Sequence, residues 1–166
     1  MDGKAVVVKF SRTYGADAHR LLADENLAPK LHFTAKIHGG LTMVVMDLVV
    51  DQNAYSRFNP RQIPVDSPVL EDVKRALDLL HASGMVFGDL RLLNVMVINS
   101  DQNIEDGHSV DRDKLRGLLI DFDWAGKAGE AMYPSDLNPD DVDWAEGVEP
   151  GTLITKEHDV KMFERL

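Results

Sequence analysis

Met85-Val86-Phe87-Gly88-Asp89-Leu90-Arg91-Leu92-Leu93-Asn94-Val95-Met96-Val97-Ile98 sets a short polar segment between two apolar runs. Such runs predict buried strands, and an Asp, an Arg two places on and an Asn five places on can then face a single cleft. A second acidic cluster follows another buried-looking strand, in Leu118-Leu119-Ile120-Asp121-Phe122-Asp123-Trp124. The carboxylates therefore fall at the ends of strands, where a scaffold holds side chains still.

Around these clusters the composition is that of a folded domain. The 166 residues predict one domain that buries roughly 70% of the surface of its unfolded chain. Hydrophobic residues make up 44% and charged residues 28%, which is globular rather than disordered. A formal net charge of -10 argues against a nucleic-acid or anionic-membrane partner, because neither attracts an acidic surface. Cysteine is absent, so disulfides, thiolate chemistry and cysteine-ligated zinc are excluded and a reducing compartment fits. Met1-Asp2-Gly3-Lys4 leads straight into a strand-like run, and no apolar segment reaches the roughly 18 residues a membrane span needs. A soluble intracellular protein, cytoplasmic or nuclear, is expected.

Upstream of the central stretch, Ala5-Val6-Val7-Val8-Lys9-Phe10 predicts a strand with one lysine near its end. Taken alone, Lys9 reads as a strand-edge lysine reaching for water. Tyr14, Ala18, Leu21 and Leu22 recur at helical spacing, with Asp17 on the side of Tyr14 and Leu21, and Pro29 marks the stop. An ammonium on the strand and a carboxylate on the helix can then meet across the layer. Residues 31–37 and 41–50 predict two more strands, joined at His38-Gly39-Gly40, whose glycines tolerate the positive φ of a tight hairpin. Residues 53–65 hold two prolines and read as a crossing linker with one helical turn around 54–58.

Ser67-Pro68 is a cap followed by a first-turn proline, with Glu71 and Asp72 where the helix dipole favours negative charge. Val69, Val73, Ala76, Leu77 and Leu80 then form an apolar stripe that Gly84 ends. Residues 99–114 read as a polar surface insertion. Asp101, Asn103 and Glu105 alternate in the manner of a calcium loop, but Gly107 falls one place late for the required turn, so a solvated acidic loop is expected. Residues 133–141 are loop-like and acidic. A last helix starts near Thr155, its cap, with Val160, Phe163 and Leu166 expected inward. The six histidines lack metal-ligand spacing, and there is no internal repeat.

Together these pieces resemble the protein-kinase-like superfamily over most of the chain from Lys9 onward. Val6-Val7-Val8-Lys9 resembles the V-A-I-K strand, and Met46-Asp47-Leu48-Val49 resembles the hinge. Gly88-Asp89-Leu90-Arg91-Leu92-Leu93-Asn94 resembles H-R-D-L-K-x-x-N, and Asp121-Phe122-Asp123 resembles D-F-G. His158-Asp159-Val160-Lys161-Met162-Phe163 resembles the D-V-W-S-F-G helix. The wording F-G-D-L-R-x-x-N and I-D-F-D-W-A-G is closer still to small-molecule phosphotransferases of the aminoglycoside and choline kinase type, and resembles predicted kinase-like proteins of fungi.

The resemblance implies an α+β, minimal protein-kinase-like fold in one domain. A small antiparallel sheet plus one helix forms a reduced N-lobe over residues 1–50, a hinge and linker follow over 51–66, and a truncated, mainly helical C-lobe covers 67–166. It further implies an ATP-dependent phosphotransferase that moves a phosphoryl group to a hydroxyl acceptor with magnesium. Lys9 would contact the nucleotide phosphates and pair with Asp17. Met46, Asp47 and Val49 would hold the adenine, Met46 as gatekeeper and the rest through the backbone. Asp89 would be the base, Arg91 would replace the phosphate-contacting lysine, and Asn94 and Asp121 would hold magnesium with Asp123 beside them. Asp159 would brace the catalytic loop.

The departures set up a rival reading. Only eight residues precede Lys9, too few for the two strands and glycine-rich loop that cover the triphosphate, and no G-x-G-x-x-G occurs. Phe87 and Gly88 replace the His and Arg of the motif, Asp123 replaces the D-F-G glycine, and no A-P-E follows. The alternative is a pseudokinase or truncated kinase relic that acts as a nucleotide- or protein-binding module. A third possibility is a fold complete only as a homodimer or with a partner protein that covers the sheet edge or the short C-lobe, since strand 5–10 would otherwise be an exposed apolar edge.

Overall fold

The computed structural model describes residue 3 and residues 5–58, 62–100, 112–138 and 142–166. The β-branched run forms β1 (Val6–Ser11), which joins β2 (Leu31–Lys36) and β3 (Thr42–Asp47) in an antiparallel sheet of order β1-β3-β2. The β2–β3 hairpin turns through Gly39 and Gly40 at φ of 84° and 77°, values a side chain would strain. Alternation along β1 turns Val7 and Lys9 to the inner face and Val6, Val8 and Phe10 outward, where each is about half exposed. β1 is also an edge of its sheet.

Helix α1 (Ala16–Asp24) buries Ala18, His19 and Leu22. It stops ahead of Pro29, because Asn26 takes a left-handed φ of 58° and sends Leu27 and Ala28 into the core. Its start is fixed from the other lobe. The Gly15 N–H donates to the Phe122 carbonyl at 2.8 Å, and a Cβ at Gly15 would lie 2.4 Å from the Ala125 carbonyl oxygen, so only glycine lets these backbones meet.

After the hinge come β4 (Gln52–Asn53) and α2 (Ala54–Phe58), the single helical turn expected in the linker. Strand β4 joins β6 (Val95–Asn99) and β7 (Leu115–Leu119) in the order β4-β6-β7. Helix α3 (Pro68–Ala82) is capped by Ser67, whose Oγ accepts from the Val69 N–H at 3.3 Å, and Gly84 follows it at φ 71°. Val69, Val73, Ala76, Leu77 and Leu80, the anticipated stripe, are all buried. Asp72 is buried too, rather than being only a first-turn charge. It accepts from Arg116 Nε at 2.7 Å, Arg116 Nη2 at 2.6 Å and the Gly117 N–H at 3.0 Å, which clamps α3 onto β7.

A two-stranded ribbon of β5 (Met85–Val86) and β8 (Gly126–Lys127) flanks the central stretch, and α4 (Lys156–Phe163) closes the described chain. Thr155 caps α4 in a capping box with His158. The phase of this helix differs from the expected one. Val160 is 47% exposed, and the inward residues are His158, Asp159, Met162 and, beyond the helix, Leu166. A carboxylate sets that phase: Asp159, 1% exposed, points at the central loop and takes the face with it. The acidic alternation at Asp101, Asn103, Glu105 and Gly107 lies outside the described residues. Among the described residues no helix is long and apolar enough to cross a membrane.

The core runs through both halves. Leu22, Leu27, Val44, Leu80, Phe87, Leu90, Leu119, Phe122 and Ile154 are each at most 1% exposed. The Leu119 N–H donates to the Leu27 carbonyl at 2.8 Å, a direct bond between the β7 end and the loop after α1.

Candidate active site

Three pieces of backbone aim the charged groups at one crevice. The alternation of β1 turns Lys9 inward. The β6–β7 pairing, with Val95 opposite Leu119, sets Asn94 and Asp121 at the same end of that ladder, and the Ile120 N–H donates to the Asn94 carbonyl at 3.0 Å. The loop Gly88–Asp89 is held from α4: Asp159 Oδ2 accepts from the Phe87 N–H and Oδ1 from the Gly88 N–H, each at 2.8 Å, while His81 Nε2 lies 3.0 Å from Oδ2. Gly88 has φ 84°, and a Cβ there would meet Ile154 Cδ1 at 2.8 Å. This is a physical reason for glycine directly before Asp89.

Lys9 Nζ lies 2.6 Å from Asp121 Oδ1 and 2.8 Å from Asp123 Oδ1. Burial opposes the ammonium charge, but the two carboxylates outweigh it and hold the Lys9 pKa above its ordinary value. Asp121 adopts φ 64°, a left-handed conformation that Asp tolerates better than most residues. Asp89 is 5% exposed: its Oδ2 accepts from Arg91 Nη2 and Asn94 Nδ2, each at 2.8 Å, while its Oδ1 lies 2.6 Å from Arg91 Nε in an ion-pair contact that lacks hydrogen-bond geometry. Burial pushes its pKa up, Arg91 and Asn94 pull it down, the charge of Asp121 pushes it up again, and the net direction is upward. Asn94 uses its Nδ2 on the Asp89 carbonyl as well, also at 2.8 Å, so its Oδ1 is the atom left to meet a cation.

Beside this crevice is a cavity of about 240 Å³ lined by Val7, Lys9, Pro29, Met46, Asp47, Leu48, Val49, Met96, Ile120 and Asp121. It brings Lys9, Met46, Asp47, Val49 and Asp121, which the resemblance singles out, into one lining. The Asp47 N–H donates to the Lys30 carbonyl and the Leu48 N–H to the Ala5 carbonyl, at 3.0 and 3.1 Å. The Asp47 carboxylate takes His32 Nε2 at 2.5 Å. The N–H groups of Asp47 and Leu48 and the Asp47 carboxylate thus already have partners within the protein. Val7, Met96 and Ile120 were not singled out from the sequence, although alternation was a usable signal, since Val7 stands two places before Lys9 on the same face.

One expected partner is not there. Asp17 does not pair with Lys9: its side chain is 87% exposed and its Oδ1 lies 3.2 Å from Arg20 Nη1. The reason is helix phase. The inward face of α1 is taken by Ala18, His19 and Leu22, so Asp17 turns to solvent and Lys9 is neutralised by the 121–123 turn instead.

That inward His19 was missed, because an isolated histidine carries no spacing signal. Its ring stacks on Phe122 at 4.5 Å and 4°. Nε2 faces the Pro29 carbonyl at 2.7 Å, so Nε2 carries the hydrogen and Nδ1 accepts from the Tyr14 hydroxyl at 2.5 Å. Burial lowers the His19 pKa to about 4, from the ordinary 6.5. The folded value lies below the unfolded one, so this contribution to stability is complete above pH 6.5, is lost as pH falls towards 4, and reaches about 3 kcal/mol. Histidine-selective NMR is expected to find His19 neutral at pH 5, with a midpoint near 4.

The oxygen donors of Asn94, Asp121 and Asp123 suit magnesium, a hard cation that takes carboxylate and carbonyl oxygens. Two of these carboxylates already converge on one cation, the Lys9 ammonium. Among the described residues no group of three or more His, Asp and Glu side chains forms a metal cluster, and a set of two carboxylates and an amide is not of that kind.

No family model and no curated protein sequence matches the chain. Solved structures do. The PK-1 kinase of Cydia pomonella granulovirus superposes with a TM-score of 0.58 at 22% identity, over 82% of this chain and 48% of that one. The chain thus spans about half the length of the viral kinase that it matches. With the sheet-and-helix half, the central loop and the crevice between them described, this likeness establishes that the chain has an α+β, reduced kinase-like fold.

Proposed function

We propose that the chain is an ATP-dependent phosphotransferase that moves a phosphoryl group to a hydroxyl acceptor with magnesium. The observation that carries this reading is the Lys9 ammonium on Asp121 and Asp123, bordering the 240 Å³ cavity. It joins residues 112 positions apart in sequence at the edge of a cavity that the 46–49 segment also lines. Phosphoryl transfer asks little covalent chemistry of a protein, so positioning and charge neutralisation do most of it. On this reading the cavity takes the adenine, and Lys9 orients the donor phosphates. Asn94 and Asp121 hold magnesium, with Asp123 alongside, and the metal's contribution when bound is to neutralise phosphate charge.

Asp89 accepts the proton of the attacking hydroxyl as the acceptor oxygen bonds to the γ-phosphorus and the bond to the ADP oxygen breaks. Arg91 then offsets charge on the transferred group. The Gly88–Arg91 and Asp121–Ala125 wording leads us to compare the acceptor with those of small-molecule phosphotransferases, and the chain with kinase-like proteins of fungi. A compartment rich in ATP and magnesium, cytoplasm or nucleus, follows from the reaction.

A second reading, a nucleotide- or protein-binding module without catalysis, is favoured by one observation: the outward residues Val6, Val8 and Phe10 lie about half exposed on the edge strand β1. A second copy or a partner protein covering that edge would suit it. One experiment separates the two. Thermal unfolding of the chain is expected to shift upward with magnesium and ATP together and much less with ATP plus chelator, by ligand linkage of about 2.7 kcal/mol at a hundredfold excess over Kd. Equal shifts with and without the metal support the binding module, and no shift with either removes the nucleotide altogether.

A further inference from the structure

Trp144 belongs to none of the kinase-type motifs, yet it is in contact with the group that holds Asp89. The Arg91 guanidinium carbon lies 5.5 Å from the Trp144 ring centroid, in cation–π range. The indole is itself fixed. Its Nε1 donates to the Asn138 carbonyl at 3.1 Å, and its ring packs against Trp124 at 5.8 Å and Tyr133 at 6.5 Å. Tyr133, 3% exposed, sets an edge on Trp124 and places its hydroxyl 3.3 Å from His158 Nδ1. The neighbouring Asp143 is gripped by Arg165, 3.2 Å from its carboxylate. A partly buried aromatic wall, tied to α4 through His158 and flanked by the Asp143 pair with Arg165 just beyond that helix, thus backs a guanidinium that contacts both oxygens of an almost fully buried carboxylate.

Arg91 has rotamers that would leave Asp89, since its side chain is 30% exposed. We propose that Trp144 is a positioning residue: its ring face holds the Arg91 guanidinium against Asp89, and so orients the Asp89 carboxylate from outside the catalytic loop. The inference rests on Asp89 being the base only for its catalytic meaning; the geometric claim stands without it. The charges that act on Asp89 are Arg91, which lowers its pKa, and Asp121, which raises it, with Asn94 donating a hydrogen bond.

The test is NMR relaxation of the full chain with labelled arginine and no nucleotide present, following the Arg91 Nε–Hε group, which is assigned from the Arg91→Gln spectrum. Trp144→Leu is expected to lower the order parameter of that group from about 0.85 to below about 0.6, and Trp144→Phe, which keeps a π face, to lower it much less. An unchanged order parameter in Trp144→Leu with lowered thermal stability would mean that Trp144 only fills space. Equal losses in the Phe and Leu variants overturn the π contact. Should Trp144→Leu not fold, Trp144→Met takes its place, and an Arg91 group as rigid there as in the parent sinks the proposal. Absence of magnesium–ATP binding defeats the phosphotransferase reading without touching any of these outcomes.

Discussion

Asp121→Asn is expected to abolish magnesium-dependent nucleotide binding, with affinity reduced at least a hundredfold, about 3 kcal/mol, in calorimetric titrations with and without the metal. The substitution keeps shape and removes charge. Asn is among the few residues at ease at the φ of 64° found here, so the turn persists. Lys9 keeps Asp123 at 2.8 Å, and its lost pairing with Asp121 lies at a partly exposed site, 27% and 40% for the two side chains, where an ion pair contributes little to stability. Fold and metal affinity are thereby separated. Equal magnesium-dependent affinities for variant and parent would remove Asp121 from the metal and leave its bond to Lys9 as a structural one.

What could be read from the sequence was whatever a short period fixes. The β-branched run from Ala5 to Phe10 placed β1, and the stripe from Val69 to Leu80 placed α3, because each depends on local geometry alone; taken alone, that run read Lys9 as reaching for water, and only the resemblance brought it to the site. The spacing within Gly88 to Asn94 gathered Asp89, Arg91 and Asn94, whose mutual hydrogen bonds are also local. Phase set from a distance was not legible. Asp17 fell on the wrong side of α1 because His19, an unremarkable residue in the chain, is the one stacked on Phe122. Val160 fell on the wrong side of α4 because the Asp159 carboxylate, buried against backbone more than 70 residues away, outranks the apolar pattern. Asp72 and Trp144 follow the same rule: the partners that give them meaning, Arg116 and Arg91, are far off in the chain.

Asp159→Ala is expected to lower global stability by about 3–5 kcal/mol, the range for breaking a buried, hydrogen-bonded charge, and to lower Tm by roughly 10 °C for a chain of this size. The cost arises at the partners left behind. Phe87 is 0% exposed, and its N–H and that of Gly88 lose their acceptors at once. His81 loses its carboxylate as well. Asp159→Asn keeps one acceptor oxygen of the two and is expected to fall between, which a variant that merely shortened a surface side chain would not produce. Differential scanning calorimetry of parent and both variants gives the order. The loop that these bonds hold is the one carrying Asp89, with Gly88 wedged at φ 84° beneath Ile154. Any nucleotide affinity that survives in Asp159→Asn but not in Asp159→Ala would then follow the number of acceptors left for that loop, tying the stability of α4 to the geometry of the crevice.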